Sequence, residues 1–433
     1  MTRRRFVGAT GGVAAAIALQ QASAMTPGGL RLAIVGTGDR GILDWGSSIV
    51  QSFQGRVRLV GLCDINGLRA KAARELLGID APTFTEFDAM VAQTKPESVL
   101  ITTIDATHWR YVVRALELGV DVIVEKPLCT DEQQCQRILE AQKKSGRRIT
   151  VAFNARHEAG ASRVKQLLTE QAVGGIVSIE AHEYLNTTHG ADYFRRWHHL
   201  KENSGTLLCH KASHHFDLVN WWLESRPVEV SAWGELSFYG RNNPFRGTHC
   251  RSCPHKGKCA FAWDINKNDA YRKLYVECES EDGYLRDGCV WREDTNIYDT
   301  MSVRVRYANG VILTFTVDTY LPYEGLSFSF NGTAGRLDMH DFGAAGYRNQ
   351  ELRLTRGGSS QVLPERTGRA AGEHVDADLS TQELVFGPQS GPDPLHMRAD
   401  VVAGALSSLT GIAAYRSIER GGAPVKIDDL VRL

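Results

Sequence analysis

Apolar positions fall into two rhythms along this chain. Up to about residue 150, short unbroken apolar runs, "LRLAIVG", "VRLVGLCD", "SVLITTI" and "VDVIVEKP", alternate with helix-compatible segments, one reaching about Val50 and another running from His108 to Leu118. Unbroken runs of this length suit strands covered on both faces, and their alternation with helices predicts a parallel, doubly wound sheet. Beyond residue 150 the runs alternate apolar with polar, as in "GGIVSIEAHEYL", "VEVSAWGELSFYG", "TMSVRVRYANGVILTFTVDTYL" and "GLSFSFNGTAGRLDMH". Alternation predicts strands with one covered face in a large, mostly antiparallel sheet, with "YANG" as a hairpin turn. The tail "HMRADVVAGALSSLTGIAAYRSIERG" reads as two closing helices. The expected fold class is α/β: a doubly wound parallel sheet over residues 28–150, then an α+β domain over 151–433.

The first residues follow neither rhythm. Residues 1–24 carry Arg3, Arg4 and Arg5, an apolar stretch too short to span a bilayer, and the small residues Ala22 to Ala24. This is the build of a cleaved export signal. The arginine pair before Phe6 resembles a twin-arginine signal, which exports folded proteins; an ordinary secretory signal is the alternative. The expected location is periplasmic or extracellular. Lys plus Arg and Asp plus Glu are equal at 50 each, so no overall field attracts nucleic acid or an anionic membrane, and neither is an expected partner. No later apolar run is read as long enough to cross a membrane.

Candidate chemistry begins where the first strand stops. Gly36, Gly38 and Gly41 have the G-x-G-x-x-G spacing, which permits a tight turn, a close backbone approach by a pyrophosphate, and packing of helix on strand. The second strand ends in Asp64, 23 residues after Gly41, where a carboxylate can bind the adenosine ribose hydroxyls. Such a carboxylate repels a 2′-phosphate, and no arginine follows directly, so the expected cofactor is NAD. Ligands of doubly wound sheets sit beyond the carboxyl ends of the strands. That places Asp39, Arg40, Thr103, Asp105, His108, Glu125 and Lys126 at the cofactor, with Pro127 restricting the backbone beside them.

The Glu-Lys-Pro of "VIVEKPLCTD", the glycine turn, "VAFNARH" and "SGTLLCHKASHHFD" together resemble the Gfo/Idh/MocA oxidoreductases, over most of the chain beyond the signal. The resemblance implies a Rossmann domain, a second domain whose sheet makes a homodimer or homotetramer, and a lysine, here Lys126, beside the nicotinamide and the reacting hydroxyl. It also implies that His214 takes the catalytic histidine position and Asp217 the last acidic position of Asp-x-Gly-x-His-x-x-Asp. His210 stands where the family has aspartate, and Ala212 where it has glycine. An imidazole exchanges protons near neutral pH, and a buried lysine with a lowered pKa can take one from an alcohol. On one helix, His210, His214 and Asp217 would share a face, which is also a zinc geometry; Lys211 in the second position of an H-E-x-x-H pattern argues against metal there. His215, Trp221 and Trp222 read as ordinary packing residues.

"HEYLNTTHGADYFRRWHHLKE" is dense in aromatic, His and Arg residues, as a sugar-binding site is, so Tyr193, Arg195, Arg196, Trp197 and His198 are the candidate substrate contacts. Tyr320, Tyr323 and Glu324 at a later strand end join them. Five of the nine cysteines lie between 250 and 289, inside an insertion at about 245–290 that is poor in aliphatics. Cys250, Cys253 and Cys259, with Cys289 or Cys278 as a fourth, suit one structural zinc; two disulfides or an iron–sulfur cluster satisfy the same count. Cys63, Cys129, Cys135 and Cys209 read as inert core residues.

An exported protein finds no NAD pool outside the cytoplasm, which favours a cofactor held tightly and recycled in place. The expected function is NAD-dependent oxidoreduction at a secondary hydroxyl of a sugar or glycoside. Two alternatives stand beside it. One is redox-neutral glycoside cleavage through a 3-keto intermediate, which some members of the resembled family perform; the other is non-catalytic sugar binding.

Overall fold

The computed structural model describes residues 28–344, 347–364, 375–387 and 393–433, so the expected export signal lies outside the described residues. Strands β1 (Leu30–Val35), β2 (Val57–Cys63), β3 (Thr83–Phe84), β4 (Ser98–Ile101), β5 (Asp121–Val124) and β6 (Ile149–Val151) form one sheet. All six run parallel, in the order β3-β2-β1-β4-β5-β6. β4 is buried along its whole length, as an unbroken apolar run requires. The order reverses between β1 and β4, which opens a crevice past their carboxyl ends.

The chain turns at Gly36, whose φ of +91° lies in the left-handed region. A Cβ there would stand 2.7 Å from the carbonyl carbon of Thr102, just past the end of β4. A side chain on Gly41 would run into the carbonyl oxygen of Gly36. The turn leads into a wide π-helical stretch, Arg40–Gly46, before the helix Ser47–Ser52. Widened turns of this kind are frequent at functional sites.

A second sheet has the order β14-β13-β12-β11-β7-β10-β9-β8-β15. Its strands are β7 (Ile176–Asn186), β8 (Pro227–Glu235), β9 (Thr300–Tyr307), β10 (Ile312–Leu321), β11 (Glu324–Gly332), β12 (Gly335–Ala344), β13 (Tyr347–Arg356), β14 (Ser359–Leu363) and β15 (Val425–Lys426). Every pair is antiparallel except β7 with β10. Burial alternates along β9 and β10, and the helices Ser213–Leu223 and Val401–Glu419 belong to the same core.

The closing segment corrects two expectations. Where two helices were expected, Val401–Glu419 is one helix of 19 residues. It is also long and apolar enough to cross a membrane, contrary to the reading that no later run approaches that length, yet 72% of that window is buried inside the protein. Its apolarity serves the core. At Gly411 the helix comes close to the backbone of Leu208 and Cys209, so close that a Cβ would overlap the Leu208 carbonyl oxygen.

The helix Val375–Phe386 returns to the first domain, where Phe386 packs edge-on against Trp45 and Phe53 at 6.1 and 5.2 Å. Asp378 on the same helix pairs with Arg40, and Glu383 with Arg56. The insertion between β8 and β9 also leaves its own domain: Ile265, Leu274 and Tyr275 are buried in the apolar cluster that covers one face of the first sheet. Both domains are thus closed by segments from the second half of the chain.

Gly411→Ala places a methyl against backbone that cannot step aside. We expect a loss of about 1–3 kcal/mol in unfolding free energy, read as a lower denaturant midpoint with unchanged cofactor affinity.

Candidate active site

At the carboxyl ends of β4 and β5, Lys126 precedes Pro127 through a cis peptide. Its Nζ donates to the carbonyl of His210 at 3.2 Å. Burial pushes the Lys126 pKa down, against the pull of Glu125 and Asp105, to about 8. His210 Nδ1 lies 2.7 Å from Asp105 Oδ2, and both side chains are buried. Burial raises the Asp105 carboxyl well above its usual range and lowers His210 well below its own, the latter helped by the Lys126 cation. The pair is therefore held as a neutral hydrogen bond, although its distance also qualifies as an ion pair.

Around His210 the second domain contributes rings. His198 meets it edge-on at 4.1 Å, Tyr193 at 5.4 Å and Trp197 at 5.8 Å, while Trp197 stacks on His198 at 3.5 Å. The local fold explains this convergence. Asn186 caps the helix Thr187–Arg195 by accepting from Thr188 and His189 backbone N–H groups, and the short turn Trp197–His199 follows at once. A second proton-carrying chain runs from the Tyr193 hydroxyl to His189 Nε2 at 2.9 Å, then from His189 Nδ1 to Glu324 at 2.6 Å. Burial raises the Tyr193 pKa to about 12. Arg196 pairs with Asp192 at 2.7 Å, sharing it with Arg286 from the insertion. These two cations hold Asp192 ionised, against its burial.

His214 sets its ring edge-on to Phe153 at 6.2 Å, just past β6. Helix breaks at Lys211–Ala212, between Leu207–His210 and Ser213–Leu223. His210 and His214 are therefore not on one continuous helix, and the zinc face considered for them does not form. Lys211, at the break, pairs with Glu183, which also accepts from His215. His215 is buried as expected of a packing residue, but it is tied to a carboxylate.

Several expected site residues do structural work instead. Asp217, expected at the last acidic position, is 1% exposed and takes a bidentate pair of hydrogen bonds from Arg156 at 2.7 and 2.8 Å. Arg195 turns from the substrate side to Cys250 Sγ and the carbonyls of Gly288 and Phe261. Tyr323 is exposed beside Tyr184 and Phe342. Tyr184 alternates with buried Glu183 along β7, so Tyr323 stands on the sheet face opposite the Glu183–Lys211 pair.

Among the expected cofactor residues, Gly36, Gly38, Gly41, Asp64 and Thr103 gather at the crevice. Three others brace its walls. Arg40 is bracketed by Glu125, Asp378 and Asp44, and Glu125 also accepts from Trp45 Nε1. His108 is 1% exposed, with its ring nitrogens facing the Pro127 and Thr103 carbonyls. The glycine turn and the ribose-type carboxylate suit a dinucleotide, since only glycine fits between the turn and Thr102. Asp64 Oδ2 accepts from Thr37 N and Oγ1, and Oδ1 from Asn66 N and Arg69. Arg69, five positions past Asp64, was passed over because no arginine follows directly. Its guanidinium is spent on Asp64, Asp282 and the Leu274 carbonyl.

Cys250, Cys253, Cys259 and Cys289 line one pocket with Phe245, Phe261 and Trp291. Cys278 is elsewhere, buried and donating to the Lys273 carbonyl, which removes it as an alternative fourth ligand. Among the described residues, no three His, Cys, Asp or Glu are arranged to hold a metal ion, and every cysteine is a free thiol. The expected zinc ligand set is not formed: Cys250 Sγ is taken up by Arg195, and Cys289 Sγ lies 3.5 Å from the Gly247 N–H.

Sequence reasoning passed over Asp192, Glu183, His189, Tyr271, Tyr275 and Arg286. Two had a signal: Asp192 precedes Arg196 by four positions on a helix, and Tyr271 precedes Tyr275 by four.

Comparison with known proteins sets this geometry in a wider frame. The model of the oxidoreductase family's NAD-binding Rossmann fold matches residues 30–153, and that of its C-terminal alpha/beta domain matches 165–427. YteT of Bacillus subtilis, an oxidoreductase by name, is 32% identical over 408 residues, 87% of this chain and 92% of that protein. An inositol 2-dehydrogenase of Gluconacetobacter diazotrophicus is 29% identical over 202 residues, 46% of this chain and 56% of that one. Among solved structures, the WlbA dehydrogenase of Bordetella pertussis, in complex with NADH and UDP-GlcNAcA, superposes with a TM-score of 0.64 at 19% identity. The alignment covers 92% of this chain and 98% of that one.

If Lys126 takes the alcohol proton, its neutral form carries oxidation. The rate should rise with pH through the lowered Lys126 pKa of about 8 and level off above it, while reduction falls over the same range. Lys126→Met should abolish both, as read by NADH absorbance. Asp217→Ala should lower stability by about 3–5 kcal/mol, because Arg156 loses its buried partner. In a denaturant titration that loss would appear without a shift in the pH midpoint of catalysis.

Proposed function

Because this chain belongs to the Gfo/Idh/MocA oxidoreductase family, whose first domain binds NAD, we propose that it oxidises and reduces a secondary hydroxyl of a sugar or glycoside, with the cofactor held tightly and recycled in place. The observation that carries the reading is buried Lys126 held on the His210 main-chain carbonyl, with the His210 side chain bonded to Asp105 and surrounded by Tyr193, Trp197 and His198. Bound NAD supplies the hydride acceptor and donor at this crevice. The remaining work falls to side chains. Neutral Lys126 accepts the hydroxyl proton, and Glu125 favours the ammonium that results. Aromatic faces pack on the C–H side of a sugar ring, and Arg196 offers hydrogen-bonding groups to its hydroxyls.

Residues 1–24 support export, and we place the protein outside the cytoplasm, where a recycled cofactor avoids dependence on a pool. The second sheet is the surface we assign to a homodimer or homotetramer. We read the four-cysteine cavity as structural.

One observation favours redox-neutral glycoside cleavage as a second reading: beside the Lys126–His210 contact, Tyr193, His189 and Glu324 form a hydrogen-bonded chain of their own. Oxidation at C3, elimination, hydration and re-reduction need several proton transfers, which two chains can divide.

The folded protein as isolated, without added NAD, is incubated with α- and β-glycosides in deuterated water, and products are read by NMR. The oxidoreductase reading expects at most one equivalent of keto-sugar per protein, restarted by added NAD or a second sugar. Repeated turnover with deuterium at C2 would replace it with the cleavage cycle. Failure to bind NAD would leave a sugar-binding protein.

A further inference from the structure

Residues 264–286 of the insertion do not stay with the cysteine cavity. They cross to the first domain and lie on its cofactor turn. Tyr275 Oη accepts from the Asp39 backbone N–H at 2.7 Å, and Tyr271 Oη donates to Asp39 Oδ2 at 3.1 Å. A Cβ on Gly38 would stand 3.1 Å from that Tyr275 oxygen, so the hydroxyl borders the backbone a pyrophosphate approaches. Further along, Asn66 Nδ2 donates to the Cys278 carbonyl, the Leu68 N–H to Glu281, and Arg69 to both Asp282 and the Leu274 carbonyl. At its other end the segment is held by the second domain. Arg286, boxed by Trp263, Tyr271 and Tyr275 at 5.2–5.8 Å, pairs with Asp192.

The Asp64 carboxylate links this segment to the cofactor. Its two oxygens accept from Thr37 N, Thr37 Oγ1, Asn66 N and Arg69. A carboxylate offers about four acceptor sites, so all are filled. A ribose diol reaches Asp64 only by displacing a protein donor, and one of them, Arg69, is bound to the segment through Asp282. Where the donor that yields is Thr37, on the turn itself, Arg69 keeps the carboxylate tied to Asp282, so one carboxylate holds both the diol and the closed segment.

We propose that residues 264–286 form a clasp over the glycine turn and the Asp64 carboxylate that opens to admit the dinucleotide and, once closed, slows its release. This rests on the NAD-dependent reading above and extends it: tight retention is the work of the insertion, through Tyr271, Tyr275, Asp282 and Arg286, and not of the first domain alone.

Full-length protein loaded with NADH is mixed with excess NAD, and NADH release is followed by fluorescence. Tyr275→Phe and Asp282→Asn each remove one anchor while keeping the shape of the side chain. Each should release NADH roughly tenfold faster or more, the loss expected for one well-formed hydrogen bond at a buried site. Hydrogen exchange of the unaltered protein provides a readout independent of any variant's folding: amides in 264–286 should gain protection when NAD is bound. Unchanged release from both variants, with unchanged protection, overturns the clasp while leaving the cofactor reading intact. Absence of NADH binding to the unaltered protein overturns the cofactor reading, and the clasp with it.

Discussion

Cations in this cleft are met by carboxylates, and the cleft is organised by how each one is met. Arg40 is matched by Glu125, Asp378 and Asp44, Lys211 by Glu183, and Arg196 with Arg286 by Asp192. Lys126 is treated differently. Its ammonium rests on a carbonyl, and burial outweighs the nearby carboxylates, so the proton is held loosely. A cation fully matched by a carboxylate would keep its proton through the physiological range; one matched by a carbonyl can give it up. The placement of the matching carboxylates thus separates the braces of the cleft from the group able to exchange a proton.

The same matching ties distant parts of the chain together. Asp378 arrives on the helix Val375–Phe386, and Asp192 and Arg286 come from the second domain and its insertion, yet each closes on or near the first domain's turn. Arg286 is buried, and burying a charge without its partner is unfavourable, so the docking of the insertion favours that of Asp192. The first domain is therefore not a finished unit within its own stretch of sequence. Its apolar cover includes Phe386, Ile265, Leu274 and Tyr275, all supplied from beyond residue 260.

Local patterns carried much of the reading. The glycine turn, Asp64 and Lys126 were visible because strand ends in a parallel sheet converge whatever the loops do. Tyr193, Trp197 and His198 were visible as composition, and the structure gathers them around His210. Arg195 sits in the same stretch but faces the cysteine cavity, because neighbouring positions near the end of a helix point in different directions. Asp217 matched a spacing, yet Arg156, 61 positions earlier, takes its carboxylate. The break at Lys211–Ala212 parts His210 from His214, and nothing in the composition of that stretch announced it.

What the sequence determined by itself was periodicity and chemistry at strand ends: two kinds of sheet, the position of the crevice, and the glycine and lysine positions that line it. These follow from backbone geometry and burial, which act over a few residues at a time. Only the tertiary structure decided which polar groups face the crevice and which brace it, because a side chain's role depends on the partner that meets it. It alone carried residues 264–286 onto the cofactor turn, since Arg69 with Asp282 and Asp39 with Tyr275 are contacts across more than two hundred positions, made by folding and absent from any local pattern.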